Sequence, residues 1–444
     1  MEPGKDTAGR FDHLRGALRE FPPLLWSFLY FFFLLTGYYV LRPVRDAMGA
    51  SDDVQAVFPP GLVEWAAARG WVLGELTLQL LFTGTFVMML LLQPAYGALV
   101  SRYPRRVFLP VLYALFIACL LGFYFLFGRE VPGRGAVFFI WVAVFNLFAV
   151  SVFWSFMADI YTDIEARRLY GFIAAGGTIG GFTGPVITRV LVNEIGVPNL
   201  LLVSAGLLAL AVGCILQLGR WARLRETERG RVGAEQAMGG SVLAGLRLLR
   251  QQPLLQAMAV VMFFGVGVGT LLYNEQAAIA RAFYPDVEAR TAYYASIDLA
   301  INLVTILVQV FLTRTLLVRF GVAPVLLIPA LAILLGFAAL TASPLPLLVA
   351  VVQVLTRAGE FSLAKPGRET IYTRVDREVR YKGKAVIDTA VYRGGDLFFV
   401  WAHKFLAAFG SAAVFGAGML VAGIMTLGAW RLIREQARLP ADPP

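Results

Sequence analysis

Leu24-Leu25-Trp26-Ser27-Phe28-Leu29-Tyr30-Phe31-Phe32-Phe33-Leu34-Leu35-Thr36-Gly37-Tyr38-Tyr39-Val40-Leu41 runs for eighteen residues without a charge before it meets Arg42. In hydrocarbon every backbone amide must be bonded within its own segment, so a run of this kind reads as a spanning helix and not as a strand or loop. Similar runs recur as far as Trp430 with only short polar breaks. They predict an all-α polytopic membrane protein with twelve transmembrane helices, at 22–41, 75–99, 107–127, 135–160, 171–192, 199–220, 253–280, 291–313, 320–340, 346–372, 384–407 and 411–431. A composition that is 58% hydrophobic, with 34 Phe, leaves too little polar surface to cover a soluble body of 444 residues.

Charge orders the loops. The segments 1–21, 101–106, 162–170, 220–252, 314–319 and 373–384, with the tail after Trp430, hold 26 of the 39 Lys and Arg, while the alternate loops hold 7. Basic residues stay on the cytoplasmic side, so both termini are expected inside a bacterial inner membrane. The +10 net charge is then a topology signal and an attraction to anionic lipid, not a nucleic-acid surface. The division predicted is a cytoplasmic arm at 1–21, a six-helix half at 22–220, a cytoplasmic linker at 221–252, a second half at 253–431 and a tail at 432–444. The arm lacks a short apolar core ending at a small-residue cleavage site, so it reads as retained and not as a signal peptide.

Several chemistries find no support. Cys119 and Cys214 lie in apolar runs without metal-ligand spacing, and His13 and His403 are the only histidines. No P-loop interrupts the helices, and no nucleophile, base and orienting group stand in a recognisable pattern. Neither an enzyme, a metal centre nor a bound cofactor is expected.

Ile160-Tyr161-Thr162-Asp163-Ile164-Glu165 leads to Tyr170, and Ile371-Tyr372-Thr373-Arg374-Val375-Asp376 leads to Tyr381, at a constant offset of 211 residues. Each copy follows the fourth run of its half, which points to two parallel six-helix repeats. Such a pair, with substrate held near mid-membrane, resembles the major facilitator fold. The loop Gly97-Ala98-Leu99-Val100-Ser101-Arg102-Tyr103-Pro104-Arg105-Arg106 is similar to that superfamily's Gly-x-x-x-Asp-Arg-x-Gly-Arg-Arg signature, with Ser101 in place of the acid and Pro104 in place of the second glycine. Arg102 and Arg106 are its gating candidates.

Three blocks carry a narrower resemblance. They are Tyr39-Val40-Leu41-Arg42-Pro43-Val44-Arg45-Asp46; Ser151-Val152-Phe153-Trp154 through Asp163, Glu165, Ala166, Arg167, Arg168 and Tyr170 to the glycines after Ala175; and Phe361-Ser362-Leu363, Pro366, Arg368-Glu369, Tyr372, Lys382-Gly383-Lys384-Ala385 and Asp388. They resemble the nucleotide translocase family, the ATP/ADP exchangers of plastids and intracellular bacteria and their bacterial relatives. The resemblance implies transport roles for Arg45 and Arg368, which keep the positive charge of the matching positions. Asn146 stands where the family has a fourth-helix glutamate, and the seventh-helix glutamate falls near Tyr273, two residues from Glu275.

An ionisable group inside a spanning helix normally faces a polar cavity or a partner. Helix ten holds the densest set, with Arg357 and Glu360 three residues apart, Lys365 and Arg368 three apart, and Lys365 and Glu369 four apart. The Arg368 guanidinium suits a phosphate or carboxylate, with Lys365 as a point charge and Glu369 able to hold the fork, or all three neutralise one another. Arg42 and Arg45 form the matching pair in the first half, although Arg42, Asp46 and Asp52 read equally as a solvated cluster. Asn146 and Trp154, two turns apart, could meet a base or ribose, although packing is the commoner fate of such a Trp. Tyr392 is a stacking or packing residue. Asp298, Glu360, Asp388, Arg393 and Asp396 are coupling candidates, with an easy Arg393 to Asp396 pair. Gly176, Gly180 and Gly184 mark close helix packing.

The expectation is a monomeric carrier that exchanges nucleotides or related phosphorylated anions, with Arg45 and Arg368 on opposite sides of the substrate. The alternatives are a facilitator for another solute, coupled to protons at Asp298, Glu360 or Asp388, and a nontransporting sensor or scaffold.

Overall fold

The computed structural model describes residues 5–102, 105–161, 163–229, 242–372, 374–375, 379 and 383–439, without the side chains of 5–21, 93–102, 105–107, 158, 163–164, 166–167, 224–229, 242–246, 385 and 389. The main helices are α1 (Lys5–Gly49), α2 (Thr77–Arg102), α3 (Arg105–Gly128), α4 (Arg134–Ile160), α5 (Asp163–Arg229), α6 (Pro253–Phe283), α7 (Val287–Val308), α8 (Val322–Ala342), α9 (Pro346–Gly359), α10 (Lys365–Tyr372), α11 (Tyr392–Ala407) and α12 (Ser411–Ala437). Ten helical stretches among the described residues are long and apolar enough to cross a membrane.

Ten differs from the twelve expected for two physical reasons. The helices expected at 171–192 and 199–220 lie within one stretch, Arg168–Arg223, of 56 residues. At about 1.5 Å per residue it would be far longer than a hydrocarbon core of roughly 30 Å. It breaks at Gly196, whose φ of 74° suits only glycine, and Pro198 starts the second arm. The arms fold back on one part of α1: Gly184 lies against Thr36, while Ser204 Oγ donates to the Gly37 carbonyl at 3.0 Å. The other difference is the stretch expected at 384–407. It is helical around a π turn at Ile387–Val391, but Lys384, Asp388, Arg393, Asp396 and Lys404 make it too charged for the apolar set.

The glycine stripe of α5 does what its spacing predicts. A Cβ on Gly176 would sit 2.5 Å from the Phe28 carbonyl oxygen, and one on Gly180 2.6 Å from that of Phe32. The backbones of α1 and α5 touch there, so no larger residue fits without separating the helices.

Side chains from residues 30–218, joined by Ala292, form one buried cluster, in which the Phe31 ring stacks on Phe153 at 4.2 Å. Side chains from 254–432 form another, centred on Leu255, Leu272, Phe337 and Phe415. A smaller cluster bridges the two: Ala47, Ala50 and Leu78 pack with Tyr273, Ala277, Ala280, Tyr294 and Val400. It marks one end of the bundle, called here the Asp52 end. Of the linker expected at 221–252, α5 covers the part to Arg229 and a helix covers Val242–Gln251. The second copy of the repeat falls partly outside the described residues, at Thr373, Asp376 and Tyr381.

Candidate functional site

The first helix runs eight residues beyond its expected end at 41 and thereby keeps Arg42, Arg45 and Asp46 inside the protein. Asp46 is 3% exposed. It accepts from Arg45 Nε at 2.8 Å and Nη2 at 2.6 Å, and from the Tyr273 hydroxyl of α6 at 3.0 Å. Arg42 lies with Nη1 3.4 Å from Asp298 of α7 and with Nε 3.9 Å from Asp46. The reading of Arg42 and Asp46 as a solvated cluster is therefore corrected: charges held inside the protein need partners, and theirs come from their own helix and, through Asp298 and Tyr273, from across the molecule. Only Asp52 is solvated; its side chain is 56% exposed and stands 3.3 Å from Arg281 and 3.9 Å from Arg290.

These contacts belong to a set that ties the two halves of the sequence at the Asp52 end. Arg290 donates to the Ala50 carbonyl at 2.9 Å, Gln79 to the Val400 carbonyl at 3.1 Å, Trp401 to Thr83 at 3.2 Å and Lys404 to Glu75 at 2.8 Å. Beside it lies a small cavity of about 80 Å³. Arg45, Thr85 and Phe139 wall it from the first half, and Arg393, Asp396 and Leu397 from the second. Asp396 accepts from Thr270 of α6 at 3.0 Å and faces Arg393 at 3.6 Å, the pair expected from spacing. Ligand sites usually measure roughly 300–1,000 Å³. In this conformation the space between Arg45 and Arg393 holds a few waters' worth of volume, and an organic substrate enters it only if the halves separate.

Helix ten pairs its charges differently from the helical-spacing expectation. A π turn at Glu360–Ala364 separates α9 from α10 and offsets their faces. Arg368, 7% exposed, therefore reaches back eight residues and grips Glu360 with both terminal nitrogens. Glu369 does not hold Arg368; it takes Lys384 Nζ at 2.6 and 2.7 Å. Lys365 is exposed and makes no ion pair with the described residues.

This pairing leaves Arg357 without its expected partner. Its Nε is buried with no hydrogen bond, and no carboxylate of a described residue lies within ion-pair distance. Its guanidinium faces Gly269 of α6, where a Cβ would stand in ordinary contact, 3.6 Å from Nη2. Asp298, Glu360 and Asp396 all lie within its electrostatic range. Sequence spacing hid Arg357, because Glu360 three residues on looked like its neutraliser.

The remaining candidates separate into distinct settings. Asn146 is half-buried on α4, one turn from the cavity residue Ala143. Trp154 packs among Phe31, Phe153 and Tyr170, the commoner of its two expected fates. Tyr392 packs at the edge of the second cluster under Arg393. Asp388 is exposed on its π turn. The side chains of Arg102 and Arg106 lie outside the described residues. Sequence reasoning missed Thr270 as a partner of Asp396, and His403, whose Nε2 is 2.8 Å from Glu275. Among the described residues no group of three His, Cys, Asp or Glu could hold a metal ion.

The architecture has clear counterparts. The Major Facilitator Superfamily matches residues 71–280. A D-xylose-proton symporter superposes with a TM-score of 0.62 at 14% identity, covering 93% of this chain and 97% of its own. The POT family transporter PepTSo does so with a TM-score of 0.60, also at 14% identity and with the same coverage. The chain has the major facilitator fold. It is a polytopic membrane protein with the architecture of alternating-access transporters. In sequence it is similar to "ADP,ATP carrier protein 1" of Chlamydia trachomatis, 23% identical over 434 residues that cover 85% of this chain and 80% of the relative.

Proposed function

We propose that the protein is an alternating-access carrier of an anionic solute, and that the solute is a nucleotide or a related phosphorylated metabolite moved by exchange. The observation that carries this reading is Arg357, a guanidinium in the membrane-spanning part of the bundle without a carboxylate partner. Arg357 is half-buried with its Nε fully enclosed, and an ionisable group within a spanning helix normally faces a polar cavity or a partner, at a cost from roughly 2.5 kcal/mol upward where it meets lipid instead. A phosphate or carboxylate on the substrate matches its planar fork. Arg45, which lines the cavity between the halves, is the second contact, and exposed Lys365 attracts the anion toward the path. Arg368 holds Glu360 and so positions the α9 to α10 turn; it reaches substrate only if that pair opens. Asn146 and Tyr392 contribute shape and polarity.

The sequence likeness to ADP,ATP carrier proteins supports the nucleotide within the anionic class. Exchange avoids carrying the net charge of a lone polyanion against the membrane potential, about 2.3 kcal/mol per charge per 100 mV. A second reading, proton-coupled transport of another solute, rests on Asp298, whose Oδ2 is buried without a hydrogen bond beside Arg42.

The test is uptake of radiolabelled ATP, ADP and smaller phosphorylated anions by liposomes containing the purified protein, preloaded or empty. The proposal expects saturable uptake that needs internal anion and falls at least tenfold in Arg357→Ala, with partial recovery in Arg357→Lys. Uptake driven by a pH gradient alone, and abolished in Asp298→Asn, would favour the second reading.

A further inference from the structure

Between Asp53 and Thr77 the chain builds a cap on the Asp52 end. Two short helices, Val54–Val57 and Pro60–Ala67, lead into a 3-10 turn at Leu73–Leu76 and then into α2. The cap encloses an open groove of about 690 Å³, within the usual size of ligand sites. Phe58, Leu62, Trp65, Trp71 and Leu80 line it from the first half, and Trp401 of α11 closes it from the second. It leaves Trp65 46% and Trp71 54% exposed on the outer face of the protein.

Its position says what covers it. Leu80 lies on the same face of α2 as Val87 and Leu91, at seven- and four-residue steps, and both of these are exposed. That stripe belongs to a span long and apolar enough to cross a bilayer, so the groove opens onto hydrocarbon where the span begins. Trp at a span end is the usual boundary residue between hydrocarbon and headgroups. Arg69 lies one turn beyond Trp65, its guanidinium 4.1 Å from the Trp65 ring centroid and its Nη1 donating to the Trp65 carbonyl at 3.0 Å. An acyl chain below and a cation above are complementary to a phospholipid.

We propose that this groove binds one membrane phospholipid, with an acyl chain along Trp65, Trp71 and Trp401 and the phosphate at Arg69. Because Trp401 is held in the wall by its bond to Thr83, the site is complete only while the Asp52 end is shut. The lipid then favours that state. This inference is independent of the substrate reading.

The experiment uses the full chain in detergent, titrated with phosphatidylglycerol carrying brominated acyl chains, with tryptophan emission as the readout. The expected result is quenching that saturates at one lipid per protein, is lost in the Trp65→Phe, Trp71→Phe, Trp401→Phe variant, and weakens severalfold when Ala136→Phe fills the groove. Phosphatidylglycerol should bind severalfold tighter than phosphatidylcholine, and Arg69→Gln should remove the difference. Quenching of the wild-type protein that rises without saturation would overturn the proposal and leave only ordinary lipid contact. A dimer in gel filtration that Ala136→Phe dissolves, with no saturable lipid quenching, would assign the groove to a second copy instead.

Discussion

At the Asp52 end several charged groups reach partners across the molecule in addition to those on their own helix, whereas around α10 they pair within one half. Asp46 takes Tyr273, Arg42 faces Asp298, Asp52 faces Arg281 and Arg290, and Glu75 takes Lys404. Glu360 instead takes Arg368, and Glu369 takes Lys384. Contacts between halves must break each time a carrier turns inside out, and contacts within a half survive the change. The difference assigns the first set to holding a state and the second to holding a shape. Arg357 belongs to neither set, and the proposed substrate contact rests on that.

The largest effect expected from this contrast is on Glu360. Glu360→Gln leaves the buried Arg368 guanidinium without its carboxylate and should cost about 1–3 kcal/mol of stability, less than for a fully buried pair because the Glu360 side chain is 37% exposed. Thermal unfolding in detergent checks it, and an unchanged midpoint would break the claim that this pair is structural. Next comes Gly180→Val, which places atoms where α1 and α5 touch and should cost about 1–3 kcal/mol. The same measurement should find Gly122→Ala nearly silent, since nothing stands within 4 Å of a Cβ there.

At the Asp52 end the stability cost should be small. The Asp52 to Arg281 and Glu75 to Lys404 pairs are partly exposed, and such pairs contribute up to about 1 kcal/mol each. Asp52→Asn with Glu75→Gln should leave the unfolding midpoint nearly unchanged, yet raise the labelling rate of a cysteine placed at Ala50. A large loss of stability without new accessibility would reverse the two roles.

The uncharged run before Arg42 and its counterparts made the membrane fold legible, and the four-residue glycine spacing made the contact of α5 with α1 legible. Helix ends were not: hydropathy ended the first helix at Leu41, but partners on α6 and α7 let it carry Arg42, Arg45 and Asp46 onward. Pairing on helix ten was misread for a related reason. Spacing rules assume a regular α-helix, and the turn at Glu360–Ala364 moves Glu360 from Arg357 to Arg368. The candidate residues were thus visible in the sequence, while their partners depended on a local irregularity and on contacts more than 200 residues distant, such as Tyr273 to Asp46.

The most direct test ties the Asp52 end shut. Glu75→Cys and Lys404→Cys, in a protein with Cys119 and Cys214 replaced, would be joined by a short cleavable thiol cross-linker, and anion exchange measured in liposomes before and after cleavage. The account predicts that exchange stops when the ends are tied and returns when the linker is cut. Exchange that continues at its full rate through the cross-linked protein would contradict it, because the halves would then not need to part at this end.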